Sequence, residues 1–124
     1  MPVPGAINTV ESTRYQINEL VYYYLEAYTD GDTEYLENFV HPSSSFYSDQ
    51  INYMNSLNSS GVELDLVDYS ITAIEEIAAN KYKVAVYEDY SIYDPEKGFS
   101  EPSQTSHYTV ELLDGSFYIT AFSF

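Results

Sequence analysis

The sequence has no cysteine and no tryptophan, and only four of its 124 residues are Lys or Arg. Without cysteine, the fold has neither disulfide bonds nor thiol chemistry. Twenty Asp and Glu residues stand against the four basic ones, so the formal net charge is −16. This charge argues against a nucleic-acid partner and an anionic membrane surface, because both would be repelled. A cationic ligand, or a neutral one held by aromatic and polar groups, remains compatible with it.

The chain also lacks any apolar run of the ~20 residues that a membrane helix needs. Its first 12 residues have neither the basic n-region nor the apolar h-region of a signal peptide. We therefore expect attachment to a membrane only through segments outside these residues. We expect residues 1–9 to be disordered or an artefact of cloning, and residues 10–124 to form one domain. A native start at Met1 would instead favour a cytoplasmic protein.

Tyrosine is what the sequence has in abundance, with 15 copies beside six Phe and a hydrophobic content of 44%. This composition is typical of a folded domain with a single core rather than of a disordered acidic segment. Apolar residues at helical spacing predict a first helix that buries one face. The members of that stripe are Ile17, Leu20, Val21, Tyr24, Leu25 and Tyr28.

The segment Asp30-Gly31-Asp32 follows this helix. Gly31 can adopt the left-handed conformation that ends a helix, and Asp32 can cap the next one. A calcium loop starting at Asp30 would need Gly and Glu where Tyr35 and His41 stand. The segment therefore predicts a joint between two helices. The second helix is expected to end at His41-Pro42.

A third helix is expected after the serines at 43–45, which can cap it, and to end near Gly61. Beyond Gly61 the apolar period changes to two, which predicts strands. We expect four of them, at about 62–77, 81–93, 102–113 and 116–124. Three helices followed by a curled antiparallel sheet make an α+β domain, with the helices packed on the concave face of the sheet.

Two hairpins fix the expected register of this sheet. Asp114-Gly115 predicts a two-residue turn, which pairs Val110 with Ile119 and Tyr108 with Ala121. A hairpin centred on Lys97 pairs Val84 with Val110, Val86 with Tyr108 and Lys83 with Glu111, and it places Glu88 opposite Ser106. The first strand changes parity near Ala73-Ile74, which indicates a β-bulge there.

This order of elements resembles the cone-shaped nuclear-transport-factor-two-like (NTF2-like) fold. More narrowly, the chain resembles the C-terminal domain of the TcaA family, the teicoplanin-resistance-associated membrane proteins of Gram-positive bacteria. The resemblance extends from about residue 10 over nearly the whole chain. It is carried by Tyr28, Gly31-Asp32, Leu36, Phe39, Pro42, Phe46-Tyr47, Gln50, Tyr53, Leu57, Gly61 and Tyr82-Lys83-Val84.

What the resemblance implies is an extracellular domain at the outer end of a membrane-anchored protein of the cell envelope. In relatives it would follow a zinc ribbon, one membrane helix and other extracellular modules. The family's role lies in the envelope and in the response to glycopeptide antibiotics that act on the cell wall. The family provides no catalytic residues to transfer to this sequence.

The cone fold carries enzymes as well as binding proteins, so function has to be argued from its pocket. Parity places Glu88 among apolar inward positions of the second strand, where a carboxylate near tyrosines could act as a general base. The alternative favoured over catalysis is a carboxylate near the open rim of the sheet that is simply solvated. Gln104 and the hydroxyls of Ser106 and Ser123 are expected beside it. The expected ligand pocket comprises Tyr23, Tyr47, Tyr53, Glu88, Tyr90, Gln104, Ser106 and Ser123.

No metal site or cofactor is expected. His41 and His107 belong to different elements, and no phosphate-binding glycine loop or nucleophile motif is present. The favoured function is a non-enzymatic binding or scaffold module that contacts a cell-wall peptide, a glycan or a cationic ligand. The alternatives are a cofactor-free isomerase or dehydratase that uses Glu88 as its base, and a structural stalk tip that forms a homodimer through the sheet.

Overall fold

A computed structural model describes the backbone of residues 4–124 and the side chains from residue 11 onward. Residues 1–3 lie outside the described part, and the predicted domain boundary near residue 10 stays a prediction. No helix in the described part is long and apolar enough to cross a membrane. The elements, in chain order, are helix α1 (Pro4–Asp30), a 3-10 helix (Thr33–Asn38), helix α2 (Ser45–Ser59), and strands β1 (Glu63–Ala78), β2 (Lys81–Asp94), β3 (Gly98–Ser100), β4 (Ser103–Leu113) and β5 (Ser116–Ser123).

The stripe predicted for α1 is buried. Ile17, Val21 and Leu25 have no exposed surface, and Tyr24 is almost fully buried. The helix ends as expected, because Gly31 adopts a φ of 71° and its N–H bonds back to the carbonyl of Tyr28 at 3.2 Å. The left-handed conformation at Gly31 turns the chain toward the next element.

The second predicted helix is a short 3-10 helix, and it ends before His41-Pro42. The reason is backbone pairing with β5: the Ile119 N–H donates to the Phe39 carbonyl at 2.7 Å, and the Ile119 carbonyl accepts from His41 N–H at 3.0 Å. Asp32 makes no side-chain cap, contrary to the prediction, and Tyr35 is exposed. The predicted cap of α2 is confirmed, since Ser44 Oγ accepts from the Tyr47 N–H at 3.2 Å.

The five strands form one antiparallel sheet in the order β1-β2-β4-β5, and the short β3 pairs with β2. Helices and sheet enclose a single core, which confirms the predicted α+β architecture. Its fully buried apolar residues come from every layer: Ile17, Val21 and Leu25 of α1, Leu36 and Val40 of the next segment, Met54 of α2, and Val84, Val86, Val110 and Ile119 of the sheet.

The predicted register between β2 and β4 was wrong by two residues. Val84 pairs with Tyr108 and Glu88 with Gln104, because the hairpin is centred on Glu96 rather than on Lys97. The Asp94 carboxylate fixes this turn by accepting from the N–H groups of Glu96 and Lys97 at 2.8 and 3.2 Å. A shift of two residues preserves the face of each side chain. The predicted Lys83–Glu111 pair is absent, since Lys81 stands opposite Glu111.

The β4–β5 hairpin begins in the predicted register, with Val110 opposite Ile119. An extra residue, Thr120, then shifts the pairing, so Tyr108 lies opposite Phe122 rather than Ala121. A bulge of one residue exchanges the faces of all positions beyond it. In β1 the predicted bulge is found between Ile71 and Ala73, and two further register shifts occur near the ends of that strand.

Candidate functional site: a tyrosine-lined pocket

An open pocket of about 470 Å³ lies between the two α-helices and the inner face of β2, β4 and β5. Eight of its lining residues are aromatic, and six of those are Tyr24, Tyr28, Tyr53, Tyr90, Tyr108 and Phe122. The four polar lining residues are Asp49, Gln50, Glu88 and Gln104. A concave, mainly aromatic cavity with a few convergent polar groups is typical of a small-ligand site.

Glu88 forms the floor of this pocket and has no exposed surface, so the expectation of a solvated carboxylate at the rim was wrong. Its Oε1 accepts hydrogen bonds from Tyr90 Oη at 2.7 Å, Ser106 Oγ at 3.0 Å and Gln104 Nε2 at 3.1 Å. Its Oε2 accepts one from Tyr108 Oη at 2.5 Å. Four donors therefore converge on one carboxylate, which matches the ionised, acceptor-only form of the group.

No basic side chain takes part in this arrangement. The sequence contains only Arg14, Lys81, Lys83 and Lys97, and none of them lines the pocket. A buried carboxylate is costly unless hydrogen bonds replace its hydration. Tyr90, Ser106, Gln104 and Tyr108 supply that replacement here, and no buried side-chain polar atom in the described part lacks a partner.

The surrounding tyrosines stay protonated over the ordinary pH range. Burial raises the pKa of Tyr24 and of Tyr108 well above the usual value, with neighbouring tyrosines and the Glu88 charge adding to the effect. Burial, followed by the charge of Glu88, also raises the pKa of Tyr90. For Tyr28, burial and the neighbouring Tyr53 raise the pKa. The phenols consequently act as hydrogen-bond donors rather than as bases.

The rim of the pocket is built mainly from α1 and α2. Tyr53 is half exposed, and its ring stacks on that of Tyr28 with centroids 6.4 Å apart. Deeper in the pocket, Gln50 Nε2 lies 2.9 Å from Tyr24 Oη. Asp49 is exposed beside these residues. The cap at the start of α2 positions the α2 wall of the pocket, because the first three turns of α2 carry Asp49, Gln50 and Tyr53.

Of the residues predicted for the pocket, Tyr53, Glu88, Tyr90 and Gln104 line it. Ser106 lies behind the floor, fully buried, and is held by its hydrogen bond to Glu88. Period-two parity was sufficient to bring these strand residues together, even though the expected register was wrong.

The other three predicted residues lie elsewhere. Tyr23 is exposed on the opposite flank of α1, where its ring stacks on Phe39 with centroids 6.4 Å apart. Tyr47 packs against the core and does not line the pocket. Ser123 is exposed and pairs with His107, because the bulge at Thr120 reverses its face.

Several lining residues were missed from the sequence. Tyr24 and Tyr28 were assigned to a packing stripe, and Tyr108 to cross-strand pairs with Val86 and Ala121, but none of the three was predicted to line the pocket. Phe122 enters the pocket because of the bulge, which no sequence signal announced. Asp49 could have been found, since it lies one turn before Tyr53, which was predicted to line the pocket.

The two histidines stay apart from the pocket. His41 packs edge-on against Tyr118 with ring centroids 5.0 Å apart, and its Nδ1 lies 2.7 Å from Ser43 Oγ. His107 stands on the outer face of β4, opposite Ser123. Within the described residues, no group of three or more His, Asp or Glu side chains could hold a metal ion.

Solved structures with this architecture include an intermembrane-space region, a ketosteroid isomerase-like protein and an association domain. The intermembrane-space region of the chloroplast protein ARC6 superposes with a TM-score of 0.74 at 14% identity, covering 88% of this chain and 93% of its own. A ketosteroid isomerase-like protein from Erwinia carotovora atroseptica gives 0.71 at 13% identity, covering 87% and 91%. The association domain of C. elegans CaMKII gives 0.62 at 11%, covering 90% and 94%. The fold is therefore the NTF2-like cone, as the sequence predicted.

The particular family is defined by sequence. A family model described as the TcaA protein NTF2-like domain matches residues 10–123. The chain belongs to this family, and the membership supports a module associated with the cell envelope. No curated protein sequence matches the chain.

Proposed function

We propose that this domain is a non-enzymatic, extracytoplasmic ligand-binding module of a membrane-anchored protein of the Gram-positive cell envelope. The observation that carries the proposal is the open pocket with its preformed polar floor. Glu88 and its four donors hold each other in place before any ligand arrives. A site that is already ordered avoids part of the entropy cost of binding.

The lining favours cell-wall peptides, glycans or glycopeptides as ligands. Rings such as Tyr28 and Tyr53 offer apolar faces with polar tips, which suit the mixed surfaces of sugars and stem peptides. Gln104 adds a side chain that can orient a polar group. Membership of the TcaA family supports the same setting, because it implies a location in the envelope.

The geometry of Glu88 supports binding rather than catalysis. A general base must come within hydrogen-bonding distance of the proton that it removes. Here Glu88 has no exposed surface, and both of its carboxylate oxygens already accept hydrogen bonds from protein donors. A substrate could reach Glu88 only after this network had opened. No observation favours the isomerase or dehydratase alternative over the binding function.

The proposal is tested by nitrogen-15 NMR titration of the domain with soluble muropeptides and, separately, with a glycopeptide antibiotic. Saturable shifts are expected around Tyr53, Tyr90 and Gln104. The exposed β1 residues Glu63 and Asp65 do not line the pocket, and their amides provide the internal reference.

The absence of saturable shifts at millimolar ligand would contradict the proposal. Shifts confined to the flank around Tyr23 and Phe39 would also contradict it, since they would place the binding surface on the other side of α1. Analytical ultracentrifugation of the same samples would test the alternative of a structural homodimer, because a dimer would sediment in a concentration-dependent manner.

A further inference from the structure

The hydrogen atoms of the pocket floor are all directed toward Glu88. The hydroxyls of Tyr90, Tyr108 and Ser106 each spend their one hydrogen on its carboxylate. A phenol has a single hydrogen to donate, so Tyr90 and Tyr108, which line the pocket, can offer an incoming ligand only oxygen lone pairs. The floor thus directs its donor hydrogens toward Glu88 and presents oxygen acceptors to the pocket.

Gln104 follows the same rule. Its Nε2 donates to Glu88 Oε1 at 3.1 Å and to Ser106 Oγ at 3.0 Å, which uses both amide hydrogens. Since the ionised carboxylate only accepts, this orientation of the amide is the one that fits the network. The Gln104 Oε1 atom is left as an acceptor. At the rim, the exposed carboxylate of Asp49 adds another acceptor and a negative charge.

Charge strengthens this asymmetry. The charged side chains that line the pocket, Asp49 and Glu88, are both acidic, and the four Lys and Arg residues of the sequence lie elsewhere. At the floor, a ligand carboxylate or phosphate would meet acceptors and the negative charge of Glu88, and would be repelled. An ammonium group brings three donors and no acceptor. The aromatic lining attracts the same cation through the faces of its rings.

We propose that the pocket selects ligands by a primary ammonium group, which lies among the tyrosine rings between Gln104 Oε1 and the Asp49 carboxylate. This inference rests on the proposed function of the pocket as a ligand site and specifies its ligand class. A wall peptide with a free amino group fits this description, whereas a fragment that carries only hydroxyl and carboxylate groups does not.

The test compares two versions of one soluble muropeptide, the first with a free primary amine and the second with that amine acetylated. Isothermal titration calorimetry against the intact domain should show at least about tenfold tighter binding of the free amine, or about 1.4 kcal/mol. Asp49→Asn should remove most of this preference. Asp65→Asn is the matched control, since it deletes the same charge at an exposed β1 position outside the pocket.

A second pair of probes separates the ammonium group from the wall fragment. N-acetyl-lysine methylamide and its norleucine counterpart differ in the terminal ammonium, and NMR should show pocket shifts for the lysine probe alone. Lysine-probe shifts without muropeptide binding would support ammonium selection and reject the wall ligand. Equal affinities of the two muropeptides would overturn ammonium selection and leave the proposed function standing. Failure of every probe to shift the pocket residues would overturn both.

Discussion

The inner face of β2 has two halves that behave differently. Val84 and Val86 are fully buried in the apolar core, among residues such as Leu25 and Leu36. Two and four residues beyond Val86 on the same face, Glu88 and Tyr90 are also buried, but they belong to a hydrogen-bonded network under an open pocket. One strand thus supports a closed apolar end and an open polar end.

Stability and recognition are thus assigned to different ends of this small domain. Burial of apolar side chains stabilises the closed end directly. A buried carboxylate gives no such gain, because its hydrogen bonds mainly replace those that it made with water. The polar end therefore depends on the closed end for its order, and in return it holds Tyr90, Gln104 and Tyr108 in fixed positions around the pocket.

Alkaline pH should affect the open end most. The folded state raises the pKa of Tyr24, Tyr28, Tyr90 and Tyr108 above the ordinary value of 10.0. Above pH 10 the unfolded chain releases these protons while the folded chain retains them, so the free energy of unfolding falls. Each tyrosine should contribute ~1.4 kcal/mol per pH unit until its folded pKa is reached. Urea unfolding followed by circular dichroism at pH 8 and pH 11 measures this loss.

Tyr90→Phe is the control for the alkaline effect, because it removes one titrating hydroxyl and should make the loss shallower. An equal free energy of unfolding at pH 8 and pH 11 would contradict the account of the tyrosine network.

Leu36→Ala destabilises the closed, apolar end of the domain. Leu36 is fully buried in the core, so its truncation should lower the free energy of unfolding by about 2–5 kcal/mol. Affinity for a pocket ligand should stay unchanged under conditions where the variant remains folded. Denaturant titration and calorimetry measure the two quantities. A loss of affinity in the folded variant would show that the two ends are not separable.

Glu88→Gln disrupts the hydrogen-bonded network of the open end with little change in side-chain volume. The new amide nitrogen would face hydroxyl donors, and at least one of Tyr90, Ser106 or Tyr108 would lose its acceptor. We expect about 1–3 kcal/mol lower stability together with weaker ligand binding. Glu63→Gln, at an exposed position of β1, is the matched control. Wild-type stability in Glu88→Gln would argue against the ionised, four-donor arrangement.

The smallest effect is expected at the cap of α2. Ser44→Ala removes the side-chain acceptor for the Tyr47 N–H and should cost about 1 kcal/mol. Loss of the cap should speed amide hydrogen exchange in the first turns of α2, which carry Asp49, Gln50 and Tyr53. Ser44→Asp should restore protection, since Asp also caps helices. Unchanged exchange in Ser44→Ala would indicate that packing alone fixes this wall.

The fold and the polar floor could both be predicted from the sequence for the same physical reason, which is the regular alternation of faces along a strand. Alternation along β2 assigned Glu88 and Tyr90 to the inner face, and an error of two residues in the hairpin could not reverse that assignment. The bulge at Thr120 is different, because a single extra residue exchanges faces. It moved Ser123 outward and Phe122 inward, and nothing in the local sequence indicated it. Packing around α1 also could not be read in advance, so Tyr23 was placed on the wrong side.

The most direct test of the pocket as the binding site is the affinity of an amine-bearing muropeptide for Tyr53→Ala and for Tyr23→Ala. Both tyrosines are 50% exposed, but only Tyr53 lines the pocket. We expect at least about tenfold weaker binding for Tyr53→Ala and wild-type affinity for Tyr23→Ala. The reverse pattern, or equal affinities for both variants, would contradict the assignment of the tyrosine-lined pocket as the binding site.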